Sequence, residues 1–144
     1  MKTDELVRNV KEQVKALNPC GKFSGEEDLQ GLCRLLMSPQ GFEFCTDKRY
    51  PTMPILQEFK AAGVERYGVY IDSDEEITMT DGQRICVAGH SNMVIHCGGH
   101  GLYRIYGMKN ASFDIKAYGW AVVKIITDNT CHIVKAQKEN SIIL

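Results

Sequence analysis

The chain has 144 residues, 44% hydrophobic and 24% charged, with a formal net charge of −1. That composition excludes a disordered or collagen-like chain and fits one ordinary domain, or a small helical unit joined to a small repeat. The near-zero charge argues against a strongly basic nucleic-acid surface and a polybasic membrane patch, and no run approaches the roughly 18 apolar residues that span a bilayer.

The opening Met1-Lys2-Thr3-Asp4-Glu5 turns acidic and amphipathic where a signal peptide turns apolar, so export by that route is not expected. Six cysteines (Cys20, Cys33, Cys45, Cys86, Cys97, Cys131) include no C-x-x-C pair. They read as free, largely buried thiols of a cytoplasmic protein.

The first half predicts short helices. Thr3 is a candidate N-cap, Asp4 and Glu5 suit the first turn, and Leu6, Val10, Val14 and Leu17 form one stripe that Asn18-Pro19 ends. A second helix is expected to open at Ser24, whose spacing to Glu27 matches a capping box, with Leu29, Leu32, Cys33, Leu36 and Met37 buried. Gly31 inside it costs about 1 kcal/mol relative to Ala, which suggests close packing there or some fraying. Ser38-Pro39 suits another helix start, but Phe42 and Phe44 stand two apart, and that stretch stays unassigned. Thr52 caps a segment through Ile55, Leu56 and Phe59 to a stop at Gly63.

The period switches near Tyr67-Gly68. Val69 and Ile71 alternate with Tyr70 and Asp72 as in a strand. Asp74-Glu75-Glu76 reads as a solvated turn and Asp81-Gly82 as a second. Beyond it Ile85, Ile95, Ile105, Ile115 and Ile125 recur every ten residues. Met93, Tyr103, Phe113, Val123 and Ile133 keep the same beat, as do the small residues Ser91, Gly101, Ala111, Ala121, Cys131 and Ser141. A fixed period without insertion is the mark of stacked, nearly identical units.

Within a unit, Ala111, Phe113, Ile115 and Ala117 share one face while Ser112, Asp114 and Lys116 share the other, the pattern of a half-buried strand. Turn formers separate the strands at Gly98-Gly99, Lys109-Asn110, Gly119, Asp128-Asn129 and Glu139-Asn140. The expected class is α+β: a helical cap over residues 1–66, then a β-solenoid over 67–144 with ten-residue strand repeats. A parallel β-helix of about three coils fits the unbroken spacing best. An antiparallel β-meander is the competing topology.

Asn110-Ala111-Ser112-Phe113-Asp114-Ile115-Lys116-Ala117-Tyr118-Gly119-Trp120-Ala121-Val122-Val123 resembles the decapeptide ladders of uncharacterised proteins from gut bacteroidetes and their mobile elements, with Trp120 and Thr130 in place of the expected Asn. The likeness covers about the last third of the chain. Ser38 to Cys45 is similar to helical leaders of the same group. The resemblance implies a solenoid and carries over no catalytic residue.

His90, His96, Cys97 and His100 form the densest set of metal-capable side chains. His96 and Cys97 leave opposite faces of a strand, so only His90, His96 and His100 remain as weak candidates for one ion, and neither metal nor cofactor is expected. The same opposite-face geometry disfavours a Cys–His nucleophile at Cys97 or at Cys131-His132. Arg104, Asp114 and Lys124 share one expected outward column, and His96, Tyr106 and Lys116 another; both read as solvated faces held by cross-strand pairs. Gly98-Gly99-His100-Gly101 lacks the Lys-Ser/Thr of a phosphate loop and reads as a turn.

Tyr103 falls in the inward column, whereas Tyr118 and Trp120 lie near a turn tip, where aromatics serve as contact residues. With Lys116 and Lys124 they are the expected binding residues. The function these features suggest is non-catalytic binding or scaffolding, through a protein partner or self-association at the C-terminal edge. The alternative is a protein that binds or cleaves carbohydrate on the outward face.

Overall fold

The computed structural model describes every residue except Met1, Asn18, Cys20 and Lys22. Among the described residues, four helices and then nine strands follow one another, and the chain divides into Met1–Val69 and Tyr70–Leu144. No helix among the described residues is long and apolar enough to cross a membrane.

The first helix, α1 (Thr3–Ala16), buries Leu6, Val10 and Val14 of the expected stripe, while Leu17 is its half-buried C-cap. Its N-cap is Lys2, so Thr3 is the first helical residue, one position from the expected cap. The stop assigned to Asn18 lies outside the described residues. The second helix, α2 (Leu29–Leu36), starts four residues later than the Ser24 box predicts. Ser24 and Glu27 do bond locally, Ser24 N donating to Glu27 Oε2 at 2.9 Å, but they close a turn instead of opening a helix. Asp28 is the true cap: its Oδ1 accepts from Gly31 N at 2.7 Å. That explains Gly31, because a Cβ there would stand 3.1 Å from the capping oxygen.

Ser38-Pro39 does open a helix, α3 (Pro39–Lys48), with Ser38 Oγ accepting from Gly41 N at 3.1 Å. Phe42 is buried and Phe44 half-buried, so two aromatics two apart do share one helix. The fourth, α4 (Met53–Ala61), buries Leu56 and Phe59, and Gly63 follows it in the left-handed region at φ 81°. A single 3-10 turn, Val64–Tyr67, precedes the strands.

The strands are β1 (Val69–Ile71), β2 (Glu76–Thr78), β3 (Arg84–Ala88), β4 (Asn92–Cys97), β5 (Leu102–Met108), β6 (Ser112–Ala117), β7 (Val122–Thr127), β8 (His132–Gln137) and β9 (Ile142–Ile143). They form two parallel sheets, in the orders β1-β3-β5-β7-β9 and β2-β4-β6-β8. This is a parallel β-solenoid of about four coils, and the antiparallel meander is excluded. The ten-residue beat therefore alternates between facing sheets, and the stacked neighbour lies twenty residues on. Ile85, Ile105 and Ile125 stack in one sheet, and Ile95 stacks on Ile115 in the other.

One coil more than expected is present because the first is shorter. Ile77 pairs with Ile95, an offset of 18 where later coils keep 20, so it falls off the beat. Glu76, expected in a turn, begins β2. The interior holds Ile85, Met93, Ile95, Tyr103, Ile105, Phe113, Ile115 and Val123, all buried, as the alternation predicts. Corners form where expected, with Gly99, Lys109, Asn110, Gly119, Asn129 and Glu139 at positive φ. Coil-to-coil bonds tie them together: Trp120 N donates to Gly99 O at 2.7 Å and Asn110 N to Thr130 Oγ1 at 2.8 Å.

The isoleucine stack of the four-stranded sheet ends on a charge. Lys135 is in register with Ile115 and exposed, on a strand hydrogen-bonded along one side only. A lysine in an inward column is a device that keeps an unpaired edge from recruiting another strand. Lys135→Ile continues the stack to the edge, and its expected effect is association, read as a rise in solution mass by light scattering. A mass equal to that of the unaltered protein at the same concentration would show that Lys135 guards nothing.

Candidate functional site

The corner between β6 and β7 carries the largest exposed aromatic, Trp120, at 59% exposure. It stacks on His100 from the preceding coil, ring centroids 6.4 Å apart and planes 6° from parallel, an offset aromatic pair. Tyr118, 39% exposed, lies over Gly98, where any Cβ would overlap its ring. Tyr103 is core, as expected, and its hydroxyl donates to Gly98 O at 2.5 Å, bracing the corner from inside. Glycine at 98 is thus the seat of Tyr118, a role that turn propensity alone did not reveal.

Next to this corner the outer face of the five-stranded sheet opens with an apolar column. Leu102 (48% exposed), Val122 (half-buried) and Ile142 (49%) are in parallel register. Two residues along each strand comes a second column, in which Arg84 pairs with Arg104 and Arg104 with Lys124. The expected column of Arg104, Asp114 and Lys124 is therefore split: Asp114 belongs to the other sheet, in register with Val94 and Val134. Likewise Tyr106 leaves the column of His96 and Lys116 and stands between Cys86 and Ile126, fully buried. Residues ten apart face away from each other across the solenoid, so a ten-residue column of outward side chains joins groups from opposite faces. Arg104 and Lys124 form no ion pair among the described residues. Burial raises the pKa of the Tyr106 phenol, and nearby Arg84 and Arg104 partly oppose that rise.

Of the four expected binding residues, Tyr118 and Trp120 share the corner. Lys116 lies on the outer face of the four-stranded sheet and Lys124 on that of the five-stranded sheet, on either side of it. On the Lys116 face, His96 Nε2 and Glu76 Oε2 are 2.6 Å apart. The bond to His96, with its charge when protonated and that of Lys116, holds the Glu76 carboxyl below the ordinary carboxylate value.

The histidines are dispersed. His90 N donates to Asp72 Oδ1 at 2.6 Å at one corner, His96 bonds Glu76 on a strand, and His100 stacks under Trp120 at the opposite corner. Among the described residues no three His, Cys, Asp or Glu side chains converge as metal ligands would. Three thiols are protected: burial pushes those of Cys33 and Cys97 up to about 12 and that of Cys131 to about 11. Alkylation of Cys97 by iodoacetamide at mildly basic pH is expected to run at least about 100-fold slower in the native than in the unfolded chain. Peptide mapping by mass spectrometry reads this directly, and equal rates in the two states would make Cys97 an accessible, reactive thiol.

The helical unit encloses an apolar cavity of about 70 Å³ whose lining includes Val10, Phe23, Leu32, Cys33 and Phe59. Among the described residues its walls offer no charged group to orient a ligand. Comparison of the chain with protein-family models, curated proteins and solved structures returned no match in any of the three.

Proposed function

We propose that the chain is a non-catalytic binding or scaffolding protein whose docking face is the Tyr118–Trp120 corner with the adjoining Leu102–Val122–Ile142 column. The observation that carries this reading is the exposure of Trp120, flat on His100, next to an unpartnered apolar ladder. Large exposed aromatics contiguous with apolar side chains are characteristic of interaction surfaces. Lys124 borders this face on the five-stranded sheet, whereas Lys116 lies beyond the corner on the outer face of the four-stranded sheet. The ten-residue beat supports kinship with the decapeptide-ladder proteins of gut bacteroidetes and mobile elements, and the free buried thiols support a cytoplasmic location. An external ligand is favoured over self-association at the C-terminal edge, because Lys135 opposes strand pairing there.

Within the carbohydrate alternative, binding is favoured over cleavage that would use Glu76 as the proton donor. Glycoside hydrolysis needs a carboxylic acid with a raised pKa as proton donor. Glu76, which shares its column with Asp114, is instead held ionised by His96.

Trp120 is the one tryptophan of the chain, so its emission reports on this corner alone. Titration with neutral and acidic polysaccharides and with acidic and basic peptides is expected to give a saturable emission shift for at least one class. Tyr118→Ala and Leu102→Ala should weaken it about tenfold or more, as truncated contact residues do, with thermal stability unchanged. If no class shifts the emission, or the variants bind as well as the unaltered chain, the docking face is elsewhere.

A further inference from the structure

Resting on that docking face, we propose that its ligand is an acidic amphipathic helix of a partner protein. It lies across β5, β7 and β9, with an apolar stripe on Leu102, Val122 and Ile142 and carboxylates against Arg104 and Lys124. The distribution of charge over the solenoid carries this. The strands of the five-stranded sheet, β1, β3, β5, β7 and β9, contain no Asp or Glu. The acids that do stand on strands, Glu76 and Asp114, belong to the other sheet. The corner acids Asp81 and Glu139 each give an oxygen to a backbone amide, Leu102 N and Gly119 N, at 3.3 Å. Arg104 and Lys124 are exposed, directly opposite each other, and form no ion pair among the described residues. Like charges so placed repel, and carboxylates arriving from outside relieve that repulsion.

The apolar row selects among anions. Leu102 and Val122 stand two residues before Arg104 and Lys124 on the same outward face, and Ile142 continues their row on β9. A nucleic acid or a sulfated polysaccharide answers the cations and leaves that row in water. An anionic bilayer calls for clusters of about 4–8 cations, whereas this face offers Arg104 and Lys124. An amphipathic helix answers both rows at once. Its residues one turn apart share a face and advance about 5.4 Å, close to the about 4.8 Å between neighbouring strands. One apolar side chain per turn therefore meets each of the three strands, and acids on the adjoining stripe fall over the cations. An extended segment repeats on one side only about every 6.7 Å and is nearly a strand out of step by its third contact. Trp120, two residues before Val122 and 59% exposed, borders the apolar row and senses its occupation.

The test is calorimetric titration and Trp120 emission with a peptide of about four helical turns that carries Leu on one stripe and Glu beside it. One counterpart has Lys for Glu and another has Ser for Leu; heparin, dextran and phosphatidylserine vesicles are the other titrants. The acidic amphipathic peptide is expected to bind saturably, to gain helical circular dichroism, and to bind at least about tenfold more tightly than either counterpart. Binding should weaken with salt, because the ion pairs are exposed. Arg104→Glu/Lys124→Glu should reverse the preference in favour of the Lys peptide. Arg104→Gln/Lys124→Gln should abolish it while melting no lower than the unaltered protein, since it removes in-register repulsion. Equal binding of the Lys peptide overturns the inference, because the sign of charge would then not matter. Equal binding of the Ser peptide does so too, because charge alone would suffice, as does binding without a gain of helix or tighter binding of heparin or vesicles. An emission shift with dextran or the Lys peptide alone overturns it while leaving the docking face standing. Silence with every titrant overturns both.

Discussion

Ile115→Ala is expected to destabilise the solenoid by about 2–5 kcal/mol, the range for emptying a large aliphatic site in a packed core. Ile115 is fully buried, stacked on Ile95, and belongs to the same core cluster as Ile85 and Ile105 from the facing sheet. Two walls of branched side chains on a parallel ladder cannot collapse far into the gap, because β3, β4, β5 and β6, which carry them, are each held on both sides by neighbouring strands. Trp120 emission during urea unfolding follows this unit specifically, and the loss should appear as a lower midpoint with unchanged slope. Ile142→Ala, at a half-exposed site on the outer face, is the control and should stay within about 0.5 kcal/mol. A comparably small loss at Ile115 would mean that the interior stack contributes nothing to stability.

The second large effect is expected at Gly41, where two rules oppose each other. By helix propensity alone, alanine at a helical glycine gains about 1 kcal/mol. The packing at Gly41 reverses the sign. A Cβ there would overlap the carbonyl oxygen of Leu35 and stand 2.9 Å from Ser38 Oγ. Those atoms are already committed: Ser38 Oγ donates to Leu35 O at 2.6 Å and accepts from Gly41 N at 3.1 Å, joining the end of α2 to the start of α3. Relief requires backbone to move, and overpacking of this kind costs about 1–3 kcal/mol or more. Gly41→Ala should therefore lower the thermal midpoint of the helical signal in far-ultraviolet circular dichroism. An unchanged or higher midpoint would show that the α2–α3 junction yields freely.

The helical half shows where local reading succeeds and where it stops. The stripe Leu6, Val10, Val14 identified α1 because a helix buries one face and the spacing alone records it. Ser24 and Glu27 misled because a capping box describes a local hydrogen-bond pattern, which a turn satisfies as well as a helix start does. Asp28 closes the same bond to Gly31 N, and only there does the chain go on to bury Leu29 and Leu32. The Phe42–Phe44 pair stayed ambiguous because α3 is short and aromatic on more than one side, so no single face declares itself.

From β4 onward, strand parity and the positions of the corners were legible from residue order, because alternation and left-handed turn residues are local properties; β2, off the beat, was read as a turn. Tyr118 and Trp120 were singled out on the same ground: an aromatic at a turn tip has little of its own coil to bury it. What the order could not state is which strand lies beside which. A ten-residue beat is the same whether consecutive strands pair or face each other across a core, and hydrogen bonding between coils decided for the second. That one decision moved Asp114 away from Arg104 and Lys124, brought Arg84 into their line, and exposed the apolar column beside it. Side-chain alternation is written into neighbouring residues, whereas a charge row across separate coils exists only once backbone pairing has fixed the register.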